Sequence, residues 1–349
     1  MIYQLGLAMA AISSSLRTLA IHLIQLHHHS VRLTALAAIT ALSIAACQSR
    51  TVPNQSLPLA PSTCHMVEHA MGETCVPNEA KRIIALYTPP LAALLALDIK
   101  PIGLAPVTGV TDEFPSYLEG KVEGIEIVGI DDEPNLEKII QLKPDLILGW
   151  DHHEKAYPML SQIAPTLLTQ PNREASAWDD WKVYFRFVAE SLGKQDIAQQ
   201  VLDKYDQQIA QVKATIGNQY ANKTISVTQV TEEYGIETYT KNSFSGSILS
   251  ELNLQRPEFQ DVVKPRGVIE AISSEKLELI DGDILFALSF SDADREMLDD
   301  LLKEPLWRTL KAVQNNQIYL VDGWTWVVAN PLAAEVVLND IRNALAGTP

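Results

Sequence analysis

From residue 82 onward, short solidly apolar runs alternate with longer stretches whose apolar positions recur every three or four residues. Residues 82–86 (RIIAL) read as a buried parallel strand, 89–97 as a helix, and 103–105 and 125–129 as further strands. Residues 135–142 read as a helix and 144–150 (PDLILGW) as the strongest strand of the set. Together they predict a first α/β lobe over residues 63–172. The pattern then changes. Trp178, Phe185, Val188, Leu192, Ala198, Val201, Leu202, Tyr205, Ile209 and Val212 keep helical spacing, with Gly193 near the middle and Gly217-Asn218 as a stop. Residues 173–217 are therefore one long helix, or two consecutive helices, crossing between lobes. Strands at 224–230, 283–288 and 317–321 and helices at 246–252, 274–279 and 331–345 build a second lobe, 218–349. The fold class is α/β: two lobes joined by a long interlobe helix, with a ligand cleft between them where strand ends meet.

Ahead of the lobes the pattern is of another kind. Residues 1–46 carry no Asp or Glu, and Arg17 and Arg32 are their only cations apart from histidine. An apolar run from Leu33 to Ala46 is too short to span a bilayer, which takes about 20 residues, and it closes on Ile44-Ala45-Ala46-Cys47. A cationic start, a short apolar core and small residues before a cysteine describe a lipoprotein-type secretory signal, with translation starting nearer Arg32. Cys47 then becomes the lipidated first residue of the mature chain, held at the membrane in the periplasm or at the cell surface. The competing reading makes 5–46 a membrane-spanning or buried helix. Residues 47–62 are polar and Pro-rich, a flexible tether.

Charge and cysteine usage narrow the function classes. The formal net charge is -16, and no block of Lys or Arg relieves it, so nucleic acid is excluded as a partner. The remaining cysteines, Cys64 and Cys75, flank alternating residues around Gly72. In an exported chain that arrangement predicts a disulfide across a hairpin. No nucleophile elbow, phosphate-cradling glycine loop or His-Glu-x-x-His helix is present, which argues against an enzyme. A cage for a bare metal ion between the lobes would draw His or carboxylates from both. Beyond the leader the histidines are His65, His69, His152 and His153, and residues 218–349 contain neither His nor Cys.

Four ordered stretches carry a resemblance. They are Val67-Glu68-His69-Ala70-Met71-Gly72 with Val76-Pro77; Glu133-Pro134-Asn135-Leu136-Glu137-Lys138-Ile139 with Lys143-Pro144-Asp145-Leu146-Ile147; Ile272-Ser273-Ser274-Glu275-Lys276-Leu277; and Pro305-Leu306-Trp307 with Lys311-Ala312-Val313, Val321-Asp322 and Trp324. From about residue 64 to the C-terminus the chain resembles the iron-siderophore and vitamin B12 class of ABC-importer substrate-binding proteins. The resemblance implies a rigid two-lobed clamp, monomeric and without a cofactor or resident metal, that delivers a ferric siderophore to permease subunits. It also implies that Glu137 and Glu275, in helices near the cleft, pair with permease arginines. Heme, cobalamin or a bare zinc, manganese or ferric ion are the alternative ligands.

The candidate cleft lining lies in loops after strands. It comprises Tyr87 and Trp150 in the first lobe and Tyr234, Tyr239, Phe244, Arg266, Trp324 and Trp326 in the second, aromatic walls with one guanidinium fork. One departure stands out. Some hydroxamate-binding members of the class carry an arginine just before the Glu-Pro-Asn-Leu-Glu stretch, where this chain has Asp131 and Asp132.

Overall fold

The computed structural model describes residues 63–107, 114–169 and 180–346. The leader, Cys47, the tether and the start of the interlobe segment lie outside the described residues.

The described chain opens with a hairpin, β1 (Cys64–His69) and β2 (Gly72–Pro77). Gly72, at φ 111°, turns the chain as the alternation predicts. Met66 faces Cys75 across the ladder and Cys64 faces Pro77, so the Cys64–Cys75 disulfide bridges diagonal positions, with Cα atoms 5.5 Å apart. Closing so short a loop stabilises the fold by about 2–3 kcal/mol in the chain-entropy view. His69 pins the hairpin to the first lobe. It is buried, its Nε2 lies 2.9 Å from the Thr74 hydroxyl, and the adjacent Ala70 N–H donates to the Thr169 carbonyl.

The first-lobe sheet holds β3 (Ile83–Ala85), β4 (Gly103–Leu104), β5 (Glu126–Ile127), β6 (Leu146–Leu148) and β7 (Thr166–Leu167). The order is β5-β4-β3-β6-β7 and every pairing is parallel. Its central strands read as unbroken apolar runs because helices cover both faces. These are α1 (Thr88–Ala96), α2 (Leu136–Leu142) and α3 (Tyr157–Ile163). Asn135 caps α2, its side chain accepting the Lys138 N–H at 3.0 Å. At Gly103 a Cβ would sit 3.0 Å from Leu142, so a glycine lets α2 lie close on β4.

The interlobe segment is two consecutive helices, α4 (Trp181–Ser191) and α5 (Gln195–Ile216), the second of the two forms that the spacing allows. Gly193, at φ 64°, breaks the run, a left-handed residue that a continuous helix does not accommodate.

The second lobe carries β8 (Ile225–Thr231), β9 (Gly235–Tyr239), β10 (Val268–Ile272), β11 (Ile284–Ser289) and β12 (Ile318–Asp322), in the order β10-β9-β8-β11-β12. The β8, β11 and β12 strands are mutually parallel, and β9 runs against both its neighbours. The helices are α6 (Phe244–Glu251), α7 (Asp292–Leu301), α8 (Lys311–Gln314), α9 (Gly323–Val327) and α10 (Pro331–Ala346). The helix expected at 274–279 is a single 3-10 turn, Leu277–Leu279, so Glu275 stands in a turn and not in a helix.

One apolar core runs through both lobes. Leu91, Leu94 and Leu118 of the first lobe join Phe185, Leu202 and Tyr205 of α4 and α5, and then Val227, Phe286, Trp326 and Ile341 of the second. A shared core of this kind ties the lobes into one body and opposes wide hinge motion.

Candidate ligand cleft

Beside the apolar core that the lobes share, one contact between them is polar. The Asn330 amide nitrogen donates to the Tyr117 hydroxyl at 3.2 Å, both residues being buried. Burial pushes the Tyr117 pKa up, the bond to Asn330 opposes it, and the charges of Asp322 and Tyr87 add to the rise.

The first-lobe wall follows from tight strand-end loops. Gly129, at φ 103°, starts the loop that carries Asp131 and Asp132. A Cβ there would lie 2.5 Å from the Glu133 carbonyl, and the Asn135 N–H closes the loop on Val128 at 2.7 Å. After β6, Trp150 is buried and packs edge-on against Tyr184, with centroids 4.5 Å apart. Tyr87, half-buried, lies 5.6 Å from the Trp150 ring and meets the His152 ring edge-on at 5.1 Å. His152 Nε2 is 3.9 Å from an Asp131 carboxylate oxygen, and its Nδ1 is 3.9 Å from Asp151. Donor atoms of Asp131, Asp132 and His152 all lie within 4.8 Å of one another. His153 behind them is neutral. The Trp150 N–H donates to its Nδ1 at 3.0 Å, and burial, then the neighbouring His152, lowers its pKa to about 4.

In the second lobe Trp324 and Phe290 form an edge-on pair with centroids 5.1 Å apart, both half-buried at the ends of β12 and β11. Gly323 makes room for them, since a Cβ there would meet the Phe290 ring at 2.7 Å. On the same sheet a polar ladder crosses two strands. The Tyr239 hydroxyl donates to Gln229 Oε1 at 2.6 Å, and Gln229 Nε2 donates to Glu237 Oε2 at 2.6 Å. Burial, then the charge of Glu270, raises the Glu237 pKa, while Arg266 opposes them. Arg266 is exposed, with φ 60°, and its Nη1 lies 3.4 Å from Glu270. Tyr234 is 56% exposed in the β8–β9 turn.

The candidate lining thus divides. Tyr87, Tyr234, Arg266 and Trp324 present surface at strand ends or on the sheet beside them. Trp150 and Tyr239 stand behind that surface and hold other groups in place. Phe244 and Trp326 are core residues, 1% and 0% exposed. Trp326 bonds Asp340 at 2.9 Å and packs on Phe286. Tyr117, Asn330 and the Gln229–Glu237 pair escaped the sequence reading. The last two carried a usable signal, since strand alternation sets Gln229, Glu237 and Tyr239 on one face. Glu137, in the first turn of α2, and Glu275 are both exposed.

Comparison with known proteins agrees with this architecture. Residues 83–323 match the sequence profile of the periplasmic binding protein family. The chain is 33% identical to a probable siderophore-binding lipoprotein of Bacillus subtilis, over 90% of this chain and 97% of that one. It is 30% identical to an Fe(3+)-citrate-binding protein of the same organism, over 87% and 95% of the two chains. Among solved structures, Staphylococcus aureus SirA complexed with staphyloferrin B superposes with a TM-score of 0.68 at 25% identity, covering 80% of this chain and 98% of that one. BauB, bound to a complex of acinetobactin and ferric iron, gives 0.64 at 27% identity over 81% and 98%.

Proposed function

The chain belongs to the periplasmic binding protein family, and from that premise we propose that it is the substrate-binding component of an ABC importer, capturing a ferric siderophore between its lobes and passing it to the permease for iron uptake. The observation that carries this reading is an aromatic pair at a strand end of each lobe, Tyr87 with His152 in the first and Trp324 with Phe290 in the second. They are held across the shared Tyr117–Asn330 joint. Aromatic edges with scattered polar groups suit a bulky chelate that must be held and released unchanged. The relatives named for siderophore and ferric-citrate binding support the same ligand class.

The finer parts of the reading rest on the chain's own residues. Cys47 carries the lipid anchor, which keeps a monomeric binding protein at the membrane in the periplasm or at the cell surface. Glu137 and Glu275 dock one on each permease subunit. Tyr87, Trp324, Tyr234 and Arg266 touch the chelate, with Trp150 and Tyr239 positioning them. The protein performs no turnover. The Asp131, Asp132 and His152 group favours the competing bare-ion reading, but it offers donors from one lobe only.

Tryptophan fluorescence tests the proposal. Ferric siderophores should quench saturably, at one per chain, and be recovered intact. Thermal stabilisation by zinc or manganese salts with no response to any ferric chelate would overturn it.

A further inference from the structure

We infer that His69 is a positioning residue for the ligand: from inside the hairpin it fixes the 3-10 turn Asp151–Lys155, and with it the place of the His152 ring against Tyr87. This rests on the ferric-chelate reading above and deepens it, since that turn carries one half of the first-lobe aromatic pair.

His69 ends β1 and is buried. Its two ring nitrogens play different parts. Nδ1 accepts the Leu168 N–H at 3.3 Å and the Met71 N–H at 3.5 Å, so it carries no proton. The proton then sits on Nε2, which donates to the Thr74 hydroxyl at 2.9 Å. Burial lowers the pKa of the ring, which keeps this neutral form. The Tyr157 hydroxyl completes the group. It lies 3.4 Å from both His69 Nε2 and Thr74 Oγ1, and its ring centroid is 5.5 Å from that of the imidazole.

Both residues that His69 holds outside the hairpin, Leu168 and Tyr157, border the turn. Tyr157 opens α3, directly beyond Ala156 at the end of the turn. Leu168 follows β7, and its side chain lies against the other end. A Cβ at Gly149 would sit 2.9 Å from Leu168 and 3.5 Å from the His153 ring. Within the turn the Trp150 N–H donates to His153 Nδ1 at 3.0 Å, and the Ala156 N–H to the His153 carbonyl at 2.9 Å. His152 is the outward ring, exposed, with centroid distances of 4.1 Å to His153 and 5.1 Å to Tyr87. A turn gripped at both ends has few ways to move its middle alone, so a change at His69 is passed to His152. The path stays within one lobe and reaches the ligand contacts only at its last ring.

The test replaces His69 by Leu and, separately, Tyr157 by Phe, with far-UV circular dichroism verifying the fold. Two quantities are read. One is affinity, by fluorescence titration with a ferric trihydroxamate, a ferric tris-catecholate and ferric citrate. The other is the ring-proton NMR signal of His152 in the ligand-free protein, which the neighbouring Tyr87 ring shifts and which is assigned by its loss in His152→Gln. Ile341→Val, in the shared core, is the control for lowered stability alone. His69→Leu should weaken the tightest-bound complex by roughly tenfold and Tyr157→Phe by about threefold, each with a displaced His152 signal, while Ile341→Val moves neither. Should His69→Leu not fold, Tyr157→Phe decides by the same two readouts. Wild-type affinity, or an unmoved His152 signal, in the folded variants would overturn the inference and leave the siderophore-binding reading standing. Silence of the wild type toward all three complexes would instead remove the ferric-chelate reading, and the ligand role of His69 with it.

Discussion

The Asn330 side chain of the second lobe donates to the Tyr117 hydroxyl of the first at 3.2 Å, and its own Oδ1 accepts the Ala333 N–H at 2.8 Å at the start of α10. One buried amide thus caps a helix and fastens the lobes. Tyr117→Phe leaves the amide nitrogen with only its bond to the Val328 carbonyl and should cost about 1–2 kcal/mol. Asn330→Ala also loses the cap and should cost about 2–3 kcal/mol. Urea unfolding of the three proteins checks the order. Equal stability of all three would show that the joint contributes nothing.

A second prediction concerns acid. His153 Nδ1 accepts the Trp150 N–H, so protonating it forfeits that bond inside a buried site. Its pKa falls from 6.5 to about 4 in the folded chain. The neutral form is favoured by folding, so the associated stability is full above pH 6.5 and is lost as pH falls toward 4. The loss should reach about 2–3 kcal/mol. His153→Asn keeps an acceptor for Trp150 and does not titrate. The wild-type minus variant stability should therefore decline across that window, and a flat difference would contradict the assignment. Carboxylates that titrate in the same range cancel in the difference.

Much of this architecture was legible in the chain, and the misses have physical causes. Solid apolar runs such as 144–150 identify buried parallel strands because both faces are covered. The hairpin and its disulfide followed from alternation around Gly72. The β9 and β10 strands were missed because Glu237, Glu270 and Thr238 interrupt the apolar pattern to serve a polar ladder and an exposed edge. Phe244 and Trp326 were placed at the cleft because an aromatic near a strand end has the same local signature whether it turns to ligand or core. That choice is made by tertiary packing, such as the bond of Trp326 to Asp340. The Tyr117–Asn330 pair spans the whole fold, and no local pattern points to it.

Gly323 offers a test confined to the second-lobe wall. A Cβ there would sit 2.7 Å from the Phe290 ring, so Gly323→Ala must displace that ring from its edge-on contact with Trp324. Alanine favours the α9 helix by about 1 kcal/mol over glycine. Overpacking costs about 1–3 kcal/mol. The net stability change should therefore be small, at most about 2 kcal/mol of loss. Chelate affinity should fall by roughly tenfold, in step with altered Trp324 emission, because the displaced ring spoils the wall. Unchanged affinity in the folded variant would remove Trp324 and Phe290 from the ligand contacts.

The last prediction separates docking from capture. Glu137 lies in the first turn of α2, directly after the loop that carries Asp131 and Asp132, and Glu275 lies in the turn after β10. Each is exposed, so neither charge is consumed by folding. Exposed carboxylates of this kind contribute little to stability, and replacing both with lysine should leave the unfolding midpoint nearly unchanged. Charge across an interface chiefly sets encounter rate and register. Glu137→Lys with Glu275→Lys should therefore bind ferric siderophore like the wild type yet support uptake at roughly a tenth of the rate or less. Either single reversal should give an intermediate loss, since one lobe can still align. The measurement is iron-55 uptake in cells whose own binding protein has been replaced, beside fluorescence titration of the purified variants. Full uptake by the double variant would strip both glutamates of the docking role, whereas loss of chelate binding would move them from the permease surface into the architecture of the cleft.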